Sequence, residues 1–120
     1  MRTSFYFPKK SSRFELKDQK LTFEELRLLT EDASLSDIKY LDLSRTGLDD
    51  QGAAILANCL YLTNVETLLL DNNNLGDEGI FLISHSPNLQ SLISLSLSGN
   101  EIGPVGSKAL AIAPVVTKIK

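Results

Sequence analysis

The chain is short of the residues that usually carry chemistry. It has one histidine, one cysteine and no tryptophan in 120 residues. A lone cysteine, Cys59, cannot close an internal disulfide, which argues against a stapled, secreted scaffold. Lysine and arginine number 12 against 15 aspartates and glutamates, for a net charge of -3. No basic field is therefore available to hold nucleic acid or an anionic membrane. Long apolar runs are missing too, and none approaches the length that crosses a bilayer. The apolar part of "TSFYFPKK" is too short for a signal-peptide core, and Pro8-Lys9-Lys10 ends it. A cytoplasmic address is expected, with a single domain of modest core.

Against these absences stands a crowd of acidic, amide and glycine residues in "DNNNLGDEG", Asp71 to Gly79. A calcium loop needs oxygen ligands at positions 1, 3 and 5, glycine at 6 and glutamate at 12. From Asp71, Asn73 and Gly76 fit positions 3 and 6. Leu75 and Leu82 fall at positions 5 and 12 and ligate nothing. Nor do Gly99, Gly103 and Gly106 with Ser107-Lys108 have the spacing or residue order of a phosphate-binding loop. No metal and no cofactor is expected.

The stretch belongs to a repeat. "LDLSRTGLDDQG" (Leu41 to Gly52), "LLLDNNNLGDEG" (Leu68 to Gly79) and "LSLSGNEIGPVG" (Leu95 to Gly106) superpose at a step of 27. The step carries Leu43 to Leu70 and Leu97, and Leu48 to Leu75 and Ile102. It continues through Leu56, Ile83 and Leu110, and through Ile38, Val65 and Leu92. One step back, Phe14, Leu16, Leu21, Leu28, Leu29 and Leu35 fall into the apolar columns, with Gln19 and Glu25 where asparagine and glycine belong. The expected organisation is an N-terminal extension over 1–10 and a repeat domain over 11–120. Within that domain lie a degenerate capping unit at 11–37, repeats at 38–64, 65–91 and 92–118, and an incomplete C-terminal end.

Within a unit, the alternation at 41 and 43 has the period of a strand, and the segments from 53, 80 and 106 have helical spacing. Between them one column holds Thr46, Asn73 and Asn100, whose amides can pair backbone groups that a turn leaves open. Asp50 and Asp77 are expected as helix N-caps, and Pro104 as a tolerated first helical residue. No unit buries its apolar side alone, so the units stack.

"VETLLLDNNNL" (Val65 to Leu75) and "LISLSLSGNEI" (Leu92 to Ile102) resemble the leucine-rich repeat motif, with "IKYLDLSRTGL" (Ile38 to Leu48) departing from it at Thr46. The continuation "LGDEG" plus a helix is similar to the ribonuclease-inhibitor-like subclass. The resemblance implies an α/β solenoid, a horseshoe segment with parallel strands on the concave face and helices on the convex face. It also implies a non-enzymatic module that binds a protein partner, with the repeats of bacterial proteins delivered into host cells as a related type.

Carried over by position, the concave contact residues are Tyr40, Asp42, Arg45, Thr67, Leu69, Asp71, Asn72, Ser94 and Ser96. Tyrosine and arginine are enriched at binding hot spots. Cys59 shares a column with Ser86 and Ala113, which marks a buried structural thiol, and His85 is expected on a helix surface. No nucleophile, acid and base are spaced for catalysis, so an enzyme is not expected. Val116 and Ile119 repeat the columns that begin a strand just before the chain stops. The alternative expectation is therefore a structural element that self-associates, as a homodimer, through an uncapped C-terminal edge.

Overall fold

The computed structural model describes residues 12–111. Four strands alternate with four helices: β1 (Arg13–Glu15), α1 (Phe23–Thr30), β2 (Tyr40–Asp42), α2 (Asp50–Ala57), β3 (Thr67–Leu69), α3 (Asp77–Ser84), β4 (Ser94–Ser96) and α4 (Pro104–Ala111). A 3-10 turn over Ala33–Asp37 follows α1. The strands form one parallel sheet in sequence order, with Arg13, Tyr40, Thr67 and Ser94 in register. Each strand–helix pair is one unit, and the residue opposite any position is its counterpart in the next unit.

The core lies between the strand layer and the helix layer. Leu41 and Leu68 reach it from the strands and Leu43 and Leu70 from just beyond their ends, Leu56, Ile80 and Ile83 from the helices, and Ile38, Leu62, Val65 and Leu89 from the connections. Full burial of each such side chain contributes about 1.5–3 kcal/mol. The sum is what a single unit, with one strand and two helical turns, cannot reach.

Backbone groups at the turn after each strand are paired by the asparagine column. Asn73 Oδ1 accepts the amides of Thr46 and Leu48, both at 3.0 Å. Its Nδ2 donates to the carbonyls of Leu43 and Leu70. Asn100 repeats the pattern one unit on, accepting from Leu75 and donating to Leu70 and Leu97. Each amide thus serves its own turn and the preceding one, as the sequence suggests.

Pro104 is the first residue of α4, as expected, but the two helix starts before it depart from expectation. The helices α2 and α3 begin about three residues before the apolar periodicity does, and neither Asp50 nor Asp77 is an N-cap. Thr22 caps α1 in a capping box with Glu25, and Asp49 caps α2 by accepting the Gly52 amide at 2.9 Å. The equivalent residue in α3 is Gly76, which has no side chain to offer. Asp50, on the first turn of α2, supplies it from outside: its Oδ1 accepts the amides of Gly76 at 2.7 Å and Gly79 at 3.0 Å. Asp77 serves α4 likewise, accepting the Gly103 amide at 2.6 Å. A carboxylate there pairs orphan N–H groups and meets the positive end of the helix dipole. Gly79 is glycine for the same reason, because a Cβ there would overlap Asp50 Oδ1. It lies inside α3, so its place is one of close packing and not of a turn.

Candidate functional site

The outward side chains of the four strands form a continuous face on the side of the sheet opposite the core. Its first row is Arg13, Tyr40, Thr67 and Ser94, and its second is Glu15, Asp42, Leu69 and Ser96. Tyr40 is half-buried, and the Arg13 guanidinium lies 3.8 Å above the centre of its ring. A cation stacked on an aromatic face holds the ring rigid and leaves a planar, polar edge. Thr67, Leu69, Ser94 and Ser96 are all half-buried. The face is therefore shallow, with Leu69 as its apolar centre and small hydroxyls beyond it.

Asp42 departs from the exposed placement expected of it. It is only 4% exposed, and its Oδ1 turns back to accept the Ser44 amide at 3.0 Å. Its carboxylate is thus engaged in shaping the strand end. Asp71 is half-buried and also engaged: its Oδ1 accepts the Ser96 hydroxyl at 2.6 Å and the Ser98 amide at 2.9 Å.

Arg45 and Asn72 are exposed, but they do not extend the strand rows. Their column is the left-handed turn of every unit, with φ of 68° at Asp18, 55° at Arg45, 56° at Asn72 and 74° at Gly99. Asp, Asn and Gly adopt this conformation readily and arginine does not. Arg45 pairs with Asp18 of the preceding unit. The hydrogen bond from Arg45 holds the Asp18 carboxyl below its ordinary range, and the same contact raises Arg45 further.

Two other titratable side chains are structural. Cys59 is buried and its thiol lies 3.3 Å from the Thr30 carbonyl oxygen, with burial pushing its pKa up. His85 is half-buried, unlike the surface residue expected. It caps the C-terminus of α3, stacks on Phe81 at 4.5 Å and approaches the Ala109 carbonyl with Nε2 at 3.1 Å. Sequence reasoning also passed over the helix layer, where Phe23, Phe81 and Val105 are exposed apolar side chains. No periodicity argument flags them, since they stand off the buried helix faces. Among the described residues, no three His, Cys, Asp or Glu are grouped to hold a metal, and no helix is long and apolar enough to cross a membrane. Val116 and Ile119, like the extension over 1–10, lie outside the described residues.

A family model described as "Leucine Rich repeat" matches residues 34–57, 61–84 and 88–111, together more than half of the chain. No curated protein matches the chain.

Proposed function

The chain belongs to the leucine-rich repeat family, and from that premise we propose that it is a non-enzymatic module that binds a protein partner across its strand face. Leucine-rich repeats are generally protein-interaction modules, and the family is generally non-enzymatic. The observation that carries the reading is the pairing of Arg13 with Tyr40 beside Leu69, on the sheet face opposite the described helices. Aromatic and arginine anchors next to a small apolar patch are what interface energy concentrates on. Tyr40, Thr67, Leu69, Ser94 and Ser96 are the proposed contact residues. Asp71 and Asn72 flank them, Arg45 stands at the rim, and Asp42 supports the strand from below. The helical outer layer supports placing the chain nearest the ribonuclease-inhibitor-like subclass, and its single buried thiol supports a cytoplasmic setting.

The test uses a photo-crosslinking side chain at position 94 on the strand face and, separately, at position 81 on the helix layer. A specific adduct is expected from position 94 and should vanish when Tyr40→Ala and Leu69→Ala are combined. Adducts that form from position 81 alone would overturn the reading.

A further inference from the structure

The four units are not joined equally. Between the second and third units, Asp50 caps α3, Asn73 pairs the turn of the second unit, and Ser86 Oγ donates to the Ala57 carbonyl at 2.6 Å. Asn88 Nδ2 donates to that same carbonyl at 3.0 Å. Between the third and fourth, Asp77 and Asn100 repeat the first two devices.

Between the first and second units, each column holds a weaker residue. Phe23 stands where Asp50 and Asp77 do, so α2 caps itself through Asp49. Thr46 stands where Asn73 does, and its hydroxyl donates within its own unit, to Leu43 at 2.8 Å. Cys59 stands where Ser86 does, and a thiol is a weak donor to Thr30. On the strand side the Arg13–Tyr40 stack and the exposed Arg45–Asp18 ion pair, the latter worth little in water, also cross the joint, and Asn64 Nδ2 donates to Ser36.

Packing shows the same asymmetry. The helix α1 packs on α2 less extensively than α2 on α3 or α3 on α4, whereas β1 pairs with β2 as fully as the other strands pair. A cavity of about 80 Å³ lies in the joint, lined by Leu21, Thr22, Leu26, Leu48 and Gly52 among others. An open groove with Phe23, Ala54 and Ile55 on its walls runs along its outer side.

We propose that this joint is a built-in opening point. The helix side of the first unit swings away while the strand ladder stays paired as its hinge, so that α1 melts as a flap before the remaining units unfold. Local openings of this kind follow elements with few buried contacts and sparse cross-links. Opening uncovers Leu26 and Leu48, which face each other across the joint at Gly52.

Hydrogen exchange of the intact chain, followed amide by amide in mild denaturant, tests this. The amides of Leu26 and Leu29 in α1 are expected to exchange at least roughly tenfold faster than those of Ile80 and Ile83 in α3, the scale of one lost cap. A terminal unit frays merely for being terminal, so a variant separates the causes. Phe23→Asp with Asp49→Gly builds at this joint the arrangement that Asp50 makes with Gly76. It should restore most of the protection of α1 and leave α3 unchanged. Cys59→Ser, which replaces the thiol donor with a hydroxyl, should shift α1 in the same direction and serves if the double variant fails to fold. A single common opening for α1 and α3 in the wild type would overturn the proposal. So would variants that fold and leave α1 protection where it was.

Discussion

The side-chain oxygen of Asn73 lies 3.0 Å from the backbone nitrogen of Thr46, a residue 27 positions earlier and one unit away. That bond, with three others from the same amide, closes a buried turn that belongs to two units at once. The amides of Thr46 and Leu48 have Asn73 as their acceptor, whereas the Leu43 and Leu70 carbonyls also accept from Thr46 and Asn100. A buried backbone amide left unpaired is costly.

Asn73→Ala should therefore be the most damaging single change among the polar residues. It strands two amides in a buried turn and removes one donor from each of two carbonyls, and the expected loss is about 3 kcal/mol. Urea denaturation with an unchanged slope reads this directly. A loss below about 1 kcal/mol would mean that water or a shifted backbone replaces the side chain.

Asp50→Ala should cost about 1 kcal/mol, the usual worth of a helix cap. The damage should appear in α3 although the residue sits on α2. Adding Gly76→Asp to the same chain gives α3 a cap of its own, as Asp49 gives α2, and should recover most of the loss. Thermal denaturation of the single and double variants measures both effects. Failure of the second change to compensate would show that Asp50 matters for something other than the α3 amides.

Arg45→Asn should leave stability unchanged or raise it by up to about 1 kcal/mol. It relieves a left-handed arginine, and the ion pair it removes is exposed. The expected signature is an equal or higher Tm. A clear decrease would show that the contact with Asp18 outweighs the backbone strain.

Cys59 should resist alkylation in the native chain and react at an ordinary rate once unfolded, because burial raises the thiol pKa. The sign for stability follows. Below the unfolded thiol pKa both states hold the proton and the contribution is constant. As pH rises through that value the unfolded state ionises first, so stability falls on the alkaline side. The fall should be absent in Cys59→Ala. Native labelling as fast as unfolded labelling would place the thiol at the surface.

The repeat architecture was legible because its signal is redundant. The same step recurs in column after column, and strand and helix periods differ within each unit. The starts of α2 and α3 were misplaced because periodicity sees only buried positions, while their first turns carry Asp50-Gln51 and Asp77-Glu78 outside the core; Pro104 marked the start of α4 by its residue type instead. The role of Asp50 was hidden for another reason: its partners lie in the next unit, and no local motif joins them. Asp42 occupies an outward strand position, yet its carboxylate folds onto its own backbone, which alternation alone does not reveal. The left-handed column could have been found from Asp18, Asn72 and Gly99, residues that share this preference; Arg45 concealed it.

The cross-unit caps also impose a grammar on how such units can be strung together. The unit with Asp49 and Asp50 gives a cap and needs none. The unit with Gly76 and Asp77 both takes and gives, and the one with Gly103 and Pro104 only takes. Copies of the middle unit could be inserted in any number between its neighbours with every helix start still satisfied. Reordering these three units leaves either a glycine start without its carboxylate or a carboxylate with nothing to hold, so among them the array can lengthen at its centre.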